Sequence, residues 1–380
     1  MFFSPHALVA PVLGSLLLAA RGTLADDPTQ RAEAALTTLQ NWYNSTSGLW
    51  NTCGWWNGAN CMTVIADLAV VDSSVMNTAT DVFKNTFQVA PISNPNPGSQ
   101  NTRISRRTRR PVSHATSSNV SQWLDGANDD DGWWALAWIA AYDVTNEPSY
   151  LELAEGIFSS LSSSWGTNCG NGGIYWSTTS TYVNSITNEL FLSIAAHLAN
   201  RVPANKDQYV VWAQKQWNWF AAQGFINGNG TINDGLTTSC QNNGQTIWSY
   251  NQGVVLGGLV ELNKAAPNSS YLNSANRIAT AAIKTLADSN MVIHESCEPS
   301  DCEPNGTQFK GIFIRNLQML QSVSPNSLYK KVIDSCANSI FENDQNSQNQ
   351  FGVDWSGPVT SVDASTHSSA MDALVAAISF

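Results

Sequence analysis

Residues 133–161 read WWALAWIAAYDVTNEPSYLELAEGIFSSL, and the pattern of this stretch decides the fold class. An apolar run is followed by a short polar turn, then by Tyr150 and a second segment with apolar residues at steps of three and four. These apolar residues are Leu151, Ala154, Ile157, Phe158 and Leu161. Such steps place side chains along one face of a helix. The stretch therefore predicts two helices joined by a short turn.

The same form recurs along the chain. Four copies have an apolar helix, a short turn, a tyrosine and a second apolar helix, and the tyrosines are Tyr150, Tyr209, Tyr271 and Tyr329, at intervals of 59, 62 and 58 residues. A fifth pair is predicted within 30–88. The last helix, HSSAMDALVAAISF, could pair with a helix at 30–46. No long stretch shows the alternation typical of a strand.

These repeats predict an all-α fold, an (α/α)6 toroid of six helical hairpins with an inner and an outer ring. An open solenoid also fits the repeat alone. Closure is favoured because the termini complete one pair, and because the long loops rich in Gly, Asn and Trp all precede the first helix of a pair. In a toroid those loops lie at one end, where we expect a binding site.

Charge and composition narrow the possible functions. The 380 residues include 18 Lys and Arg and 29 Asp and Glu, a net charge of −11. Nucleic acid is excluded as a partner, because no positive excess exists to neutralise its phosphates. Hydrophobic residues make up 43% of the chain, which suffices for a large core. Of the 15 Trp residues, we expect more than half in the core and the others in surfaces that stack on sugars.

The N-terminal residues 1–25 are predicted to be a secretory signal peptide. An apolar stretch precedes Thr23-Leu24-Ala25, a sequence of the kind that signal peptidase cleaves. No other segment approaches 18 apolar residues, so no stable membrane insertion is expected. Five Asn-x-Ser/Thr sequons support secretion, at Asn44, Asn119, Asn229, Asn268 and Asn305. We expect residues 26–380 to form a single domain, secreted to the cell wall or medium as a monomer.

Seven cysteines in a secreted chain predict disulfides. The expected pairs are Cys297–Cys302, Cys53–Cys61 and Cys169–Cys240, with Cys336 left as a buried free thiol. The first two pairs flank short loops, whereas the third is a hypothesis without a spacing argument.

Residues 91–118 interrupt the helical pattern. They are rich in Pro, Ser and Arg, with five Arg within 103–110. We predict a flexible basic insertion. A functional basic arm, or processing at the Arg pairs, is the alternative.

The acidic run at 125–134, DGANDDDGWW, directly precedes a long apolar helix. One or two acids would serve as a helix start, where caps and the macrodipole favour them. Three consecutive Asp residues exceed that need, because like charges repel and, beside a Trp wall, raise the pKa of at least one acid. A protonated acid beside an ionised carboxylate is what glycoside hydrolysis requires. A helix cap and a catalytic pair both remain open from the pattern alone.

Further motifs accompany the acidic run in order. They are Asp-Asp-x-x-Trp-Trp-x-Leu from 129, Cys-Gly-x-Gly-Gly-Ile-x-Trp at 169–176, Thr-Asn-Glu-Leu at 187–190, Asn-Asp-Gly-Leu at 233–236, Tyr-Asn-Gln-Gly at 250–253 and Phe-Lys-Gly-Ile-Phe-x-Arg at 309–315. With this ordered set, residues 30–380 resemble glycoside hydrolase family 76, the α-1,6-mannanases of bacteria and fungi. The resemblance implies a toroid and a mannan or manno-oligosaccharide substrate. No nucleotide loop, serine elbow or metal cluster is found in the sequence, so no cofactor or metal is expected.

The resemblance also implies roles within the acidic run. Counting back from Trp133 and Trp134 gives Asp129 as nucleophile and Asp130 as general acid/base of a retaining double displacement, with Asp131 at a tolerated position. Retaining enzymes hold the two carboxyls about 5–5.5 Å apart. Because neighbouring side chains of a regular helix point apart, we predict that the pair lies on a non-helical turn.

Eight residues are candidates for substrate binding. They are Trp133, Trp134, Trp176, Asn188, Asp234, Tyr250, Asn251 and Phe309. The two adjacent Trp residues are each either a sugar platform or core, and the Asn and Tyr candidates are either ligands or helix caps. Gly311 is expected to let a ligand approach closely, while Lys310 and Arg315 are either ligands or structural ion pairs.

The function predicted from the sequence is a secreted endo-acting hydrolase of α-1,6-mannosidic bonds. One alternative keeps the same Asp pair in a cell-wall transglycosidase that moves a glycan onto wall polymer. The other is a catalytically inert carbohydrate-binding toroid, which the intact Asp129 and Asp130 argue against.

Overall fold

The computed structural model describes residues 27–98, 119–300, 302 and 304–379. These residues form twelve α-helices: α1 (Pro28–Leu39), α2 (Trp55–Val71), α3 (Met76–Val89), α4 (Asn128–Thr145), α5 (Pro148–Ser163), α6 (Ser185–Arg201), α7 (Lys206–Ala222), α8 (Ser249–Ala265), α9 (Ser269–Leu286), α10 (Phe309–Val323), α11 (Ser327–Asn343) and α12 (Ala364–Ile378). Two short antiparallel strands, β1 (Tyr43–Asn44) and β2 (Leu49–Trp50), lie between α1 and α2.

The even-numbered helices form an inner ring. Each packs against the next, from α2 through α4, α6, α8 and α10 to α12, and α12 packs back against α2. The odd-numbered helices lie outside: α3, α5, α7, α9 and α11 pack on the helix that precedes each in sequence, and α1 packs on α12. The predicted toroid of six hairpins is confirmed, and the open solenoid is wrong because the ring closes.

The turn between α4 and α5 shows how the sequence makes one hairpin. Helix α4 ends at Thr145 because Asn146 takes the left-handed conformation (φ 54°) that often terminates a helix. Pro148 then occupies the first position of α5, where its missing N–H costs nothing. The Glu147 side chain accepts the Ser149 N–H at 3.3 Å and caps the new helix.

The four repeat tyrosines lie near the starts of α5, α7, α9 and α11 and are all buried. Three of them link their helix to the preceding outer helix: Tyr209 Oη donates to Glu155 Oε1 (2.7 Å), Tyr271 Oη accepts from Gln214 Nε2 (3.3 Å) and Tyr329 Oη donates to Asn276 Oδ1 (2.8 Å). The repeat thus places a buried ring and one hydrogen bond at successive junctions of the outer ring, which explains its regular spacing.

Gly311 brings α10 and α12 into close contact. A Cβ at this position would lie 2.6 Å from the Cα of Ser369 and 2.5 Å from its carbonyl oxygen. The Gly311 N–H donates to Ser369 Oγ at 2.9 Å. The prediction that Gly311 admits a ligand is therefore wrong, because the neighbouring helix takes that space.

Two predicted disulfides are present. Cys169–Cys240 and Cys297–Cys302 are bonded, and Cys336 is a buried free thiol. The predicted Cys53–Cys61 disulfide is wrong for this structure, since the two Sγ atoms lie 3.4 Å apart, well beyond the ~2.05 Å of a covalent S–S bond.

Two predicted segments fall wholly or mostly outside the described residues. The signal peptide at 1–25 lies outside them, as does the part of the 91–118 insertion from 99 onward. Within the described part of the chain, no helix has the length and apolarity that a membrane span requires.

Candidate active site

Five of the six inner helices place their first residues around one cleft of about 570 Å³. The helix-borne residues are Trp56 of α2, Asp129, Asp130 and Trp133 of α4, Asn184 just before α6, Trp248 and Tyr250 at the start of α8, and Phe309 of α10. Loops add Ala127, Trp176, Tyr182, Asp234 and residues 302 and 304–306. The inner ring therefore brings together at one end of the toroid residues that are far apart in sequence.

The acidic run divides into two cleft residues and one structural residue. Asp129 and Asp130 line the cleft, whereas Asp131 is buried and its Oδ1 accepts the Asp125 N–H at 3.0 Å. All three belong to the first turn of α4, so the predicted non-helical turn is wrong. In a helix the Cα–Cβ bonds tilt toward the N-terminus, and no earlier turn covers the first one. Adjacent side chains there can both reach past the helix end into one cleft.

Burial dominates the ionisation of the pair. It raises the pKa of Asp129 to about 7, although hydrogen bonds from the backbone and from Trp176 oppose it. Burial, and then the charges of Asp129 and Asp125, hold the pKa of Asp130 well above its ordinary range. A hydrogen bond with Asp125 raises that pKa further. Because the two carboxyls repel each other when both are charged, one negative charge on the pair is favoured over two.

Trp176 contacts Asp129 directly. Its indole Nε1 donates to Asp129 Oδ2 at 3.0 Å, while Asp129 Oδ1 is buried without a hydrogen-bond partner among the described residues. The Trp176 side chain is 44% exposed at the rim of the cleft. The two carboxyl oxygens of Asp129 are therefore in different environments.

Aromatic rings form the cleft walls. Trp133 stacks on Trp56 with centroids 5.7 Å apart, and Tyr250 stacks on Phe309 at 3.7 Å. Trp248 packs edge-on against Phe309 at 5.4 Å. Flat apolar faces beside carboxyl groups suit sugar rings, which offer C–H faces to aromatics and hydroxyls to polar groups.

The other residues predicted to bind substrate fall into two groups, those that line the cleft and those that are buried in the core. Asp234 lines the cleft and accepts a hydrogen bond from Tyr182. Trp134 is fully buried among other Trp rings, so its predicted role as a sugar platform is wrong. Asn188 and Asn251 are also fully buried and do not line the cleft, so direct contact with substrate is excluded for both.

Asn188 has a structural role instead. Its side chain accepts the Ile174 N–H at 2.9 Å and donates to the Ile174 carbonyl at 3.0 Å. Gln216 also donates to it, at 3.1 Å. Asn188 thus holds the glycine-rich loop that carries Trp176.

Comparison with known proteins identifies the family. Residues 29–379 match the family model described as glycosyl hydrolase family 76. This chain belongs to that family. The resemblance drawn from the ordered motifs is confirmed.

Relatives and solved structures agree with this membership. The chain is 30% identical over 312 residues to a putative mannan endo-1,6-alpha-mannosidase of Schizosaccharomyces pombe, covering 77% of this chain and 65% of the relative. It is 30% identical over 238 residues to mannan endo-1,6-alpha-mannosidase DCW1 of Candida albicans, covering 57% and 52%. The chain thus spans about half to two thirds of these relatives' length. A solved structure of the α-1,6-mannanase GH76A of Salegentibacter sp. HEL1_6 shares the fold, with a TM-score of 0.75 and 19% identity over 93% of this chain and 99% of that one. That protein is an inactive variant in which two neighbouring aspartates are replaced by asparagine, and it is in complex with α-1,6-mannotriose.

Sequence reasoning missed several cleft residues of this family 76 chain. Trp56 and Trp248 line the cleft, as do Tyr182 and Asn305. A signal was available for the two Trp residues, because Trp56 is the second residue of α2 and Trp248 directly precedes α8, so both mark the start of an inner helix. Nothing comparable marks Tyr182 or Asn305, whose positions depend on loop geometry.

One side-chain group could hold a metal ion. Among the described residues, His294, Glu298 and Asp354 bring ligand atoms within 4.8 Å of one another. The ammonium of Lys310 already lies 2.5 Å from Glu298 Oε1 and donates to the Val353 carbonyl. Lys310 and Arg315, which pairs with Asp372 at 3.1 Å, thus have structural ion pairs.

A second, smaller cavity of about 240 Å³ is lined by residues of all six inner helices and shares Trp133 with the cleft. Its charged walls include Arg201, which binds Asp143 at 2.6 Å, and Arg315. Asp129 and Asp130 do not line it, so the carboxyl pair belongs to the cleft alone.

Proposed function

We propose that this protein is a secreted, endo-acting glycoside hydrolase that cleaves α-1,6-mannosidic bonds of mannan with retention of configuration. The observation that carries the proposal is the placement of Asp129 and Asp130 side by side in an aromatic-walled cleft, with electrostatics that favour one charge between them. The relatives, named as mannan endo-1,6-alpha-mannosidases, support the substrate class. The Salegentibacter mannanase became inactive in a variant whose two neighbouring aspartates are replaced by asparagine, which supports the adjacent pair Asp129 and Asp130 as the reacting groups.

In the first step Asp129 acts as the nucleophile. Its carboxylate forms a bond to the anomeric carbon while the glycosidic C–O bond breaks, and the electron pair stays on the departing oxygen. Asp130, protonated because burial and its acidic neighbours raise its pKa, gives its proton to that oxygen. The product of this step is a covalent mannosyl–Asp129 ester and a shortened glycan.

The second step reverses these roles. Asp130, now ionised, takes a proton from a water molecule, whose oxygen attacks the anomeric carbon. The bond to Asp129 breaks, and its carboxylate is regenerated. Two inversions at the same carbon give net retention.

The test uses α-1,6-mannan with the wild-type protein and the Asp129→Asn and Asp130→Asn variants. We expect new reducing ends from the wild type, with the α-anomer appearing first in a proton NMR time course, and a loss of at least about 10³-fold in both variants. A mannoside with an activated leaving group is expected to restore the first step for Asp130→Asn but not for Asp129→Asn, because such a group needs no proton.

Other outcomes identify the alternatives. Coupled glycan products without net release of reducing ends would indicate a transglycosidase that uses the same pair. Binding of mannan without turnover by the wild type would indicate an inert carbohydrate-binding toroid. First appearance of the β-anomer would refute the double displacement.

A further inference from the structure

The loop that carries Trp176 is attached to the start of α4. The backbone N–H of Asn128, the first residue of α4, donates to the Trp176 carbonyl at 2.8 Å, and Asn128 Nδ2 donates to the Tyr175 carbonyl at 2.8 Å. Ala127 and Ser177 form an antiparallel bridge, and the Trp176 N–H donates to the Tyr182 carbonyl at 2.8 Å. Backbone contacts therefore fix Trp176 within one residue of Asp129.

Contacts below the loop limit its movement. The Cys169–Cys240 disulfide ties its beginning to a distant segment. The Trp219 ring lies directly beneath Gly172 and Gly173, where an added Cβ would come within 2.3 and 2.1 Å of it. Trp219 Nε1 also donates to the Cys169 carbonyl at 2.7 Å. A donor held this way is aimed before substrate binds.

We propose that Trp176 is a positioning residue for the nucleophile: its indole N–H holds Asp129 Oδ2 and fixes the orientation of the carboxylate in the cleft. This inference rests on the proposed function. In the ionised state Oδ2 is a strong acceptor, whereas in the covalent ester both oxygens of Asp129 are neutral and accept more weakly. The hydrogen bond therefore favours the free carboxylate, both before attack and as the leaving group when water cleaves the ester.

The sign of the pH effect follows from this preference. A donor to the carboxylate favours the charged form and lowers the pKa of Asp129, which burial otherwise raises. Removing the donor raises the pKa of Asp129. On acidification, the activity of such a variant therefore begins to fall at a higher pH than the activity of the wild type. The other titratable groups that act on Asp129 or are acted on by it are Asp125, Asp130, Asp131 and Tyr250.

Trp176→Phe tests the proposal, because it keeps an aromatic ring at the cleft rim and removes only the N–H and the fused ring. We expect the acidic limb of the pH profile of kcat/KM to shift to higher pH by about one unit. We also expect kcat to fall about tenfold and KM to change less than threefold. With an activated mannoside we expect a larger burst, because the ester accumulates when its carboxylate leaves more slowly.

Trp248→Phe is the matched control. Trp248 lines the same cleft but makes no hydrogen bond to either carboxyl. This variant is expected to change KM without moving the acid limb. A role of Trp176 as a sugar platform alone would give Trp176→Phe the same behaviour, which would overturn the proposal.

A readout independent of turnover separates this inference from the proposed function. Carbon-13 NMR titration of labelled Asp carboxyls, assigned with Asp129→Asn, gives the pKa of Asp129 in the wild type and in Trp176→Phe. A rise of about one unit in a protein without activity on mannan would support the positioning role and refute the proposed function. An unchanged pKa would overturn the positioning role, whatever the activity.

Discussion

Replacing Gly311 by alanine tests how tightly the inner ring is closed. The added Cβ would lie 2.6 Å from Ser369 Cα, 2.5 Å from the Ser369 carbonyl oxygen and 2.7 Å from Asp372 Oδ2. Carbon atoms in contact need about 3.5–4.0 Å. Two of the three neighbours are backbone atoms, which cannot rotate away, so α10 and α12 must separate by about 1 Å.

The expected loss of stability is the balance of two effects. Overpacking costs about 1–3 kcal/mol, and the upper part of that range applies where backbone meets backbone. Alanine regains about 1 kcal/mol of helix propensity over glycine. We therefore expect Gly311→Ala to lower the free energy of unfolding by about 2 kcal/mol. The separation would also strain the Arg315–Asp372 ion pair, since Asp372 Oδ2 is the atom that Arg315 binds.

The assay is guanidinium unfolding followed by Trp fluorescence, with Gly258→Ala as the control. A Cβ at Gly258 would lie 3.2 Å from Leu192 Cγ and 3.3 Å from Ser193 Cα, distances that a small shift of α6 can relieve. We expect Gly258→Ala to stay within about 1 kcal/mol of the wild type. A Gly311→Ala protein as stable as the wild type would refute the close-contact argument.

Three further predictions concern ionisation, a buried charge and the disulfides. Burial raises the pKa of Asp129 to about 7, and the proposed mechanism requires its ionised form. We therefore expect kcat/KM to fall by about tenfold per unit as the pH drops through 7; a flat profile from pH 5 to 7 would contradict this. Lys310→Met leaves the buried Glu298 carboxyl with His294, at 2.7 Å, as its remaining basic partner. We expect the free energy of unfolding to fall by about 3 kcal/mol in a denaturant titration, the low end of the cost of breaking a buried ion pair; a change below about 1 kcal/mol would mean that His294 replaces the lost cation. Replacing both Cys169 and Cys240 by serine removes a disulfide that spans 71 residues and should lower the free energy of unfolding by about 4 kcal/mol. Removing Cys297–Cys302, which spans only five residues, should lower it by about 2 kcal/mol. Equal losses would argue that the stabilisation does not come from loop entropy.

The architecture could be read from the sequence because it depends on repeated local signals. Each hairpin has an apolar stripe, a short turn and a tyrosine such as Tyr150, and these features need no knowledge of distant contacts. The pairing of α1 with α12 was also predictable, because a ring of pairs leaves the two terminal helices to each other. The Cys53–Cys61 prediction failed because spacing alone does not show whether two sulfurs approach to bonding distance.

The cleft was only partly predictable, for a physical reason. Inner helices are buried on nearly every side, so their aromatic and polar residues look alike in sequence whether they face the cleft or the core. Trp133 and Trp134 are neighbours, yet one lines the cleft and the other packs among Trp rings. Likewise Asn188 braces a loop rather than binding sugar. Only the inner-ring geometry separates these cases.

The charge on Asp129 depends on more than the fold. The inner helices that open onto the cleft present N-termini, whose partial positive charge favours a carboxylate by about 0.3–2 kcal/mol. Burial opposes this, and the net rise in the pKa of Asp129 from 3.8 to about 7 corresponds to roughly 4 kcal/mol in favour of the neutral acid. Since the larger effect wins, converging helix ends cannot by themselves keep a nucleophile ionised below neutral pH. The value of about 7 already includes the opposing hydrogen bond from the indole N–H of Trp176, which reaches Asp129 and not Asp130. The ring of helices brings the two acids together, and in the proposed mechanism the contact from this one loop favours Asp129 over Asp130 as the acid that attacks.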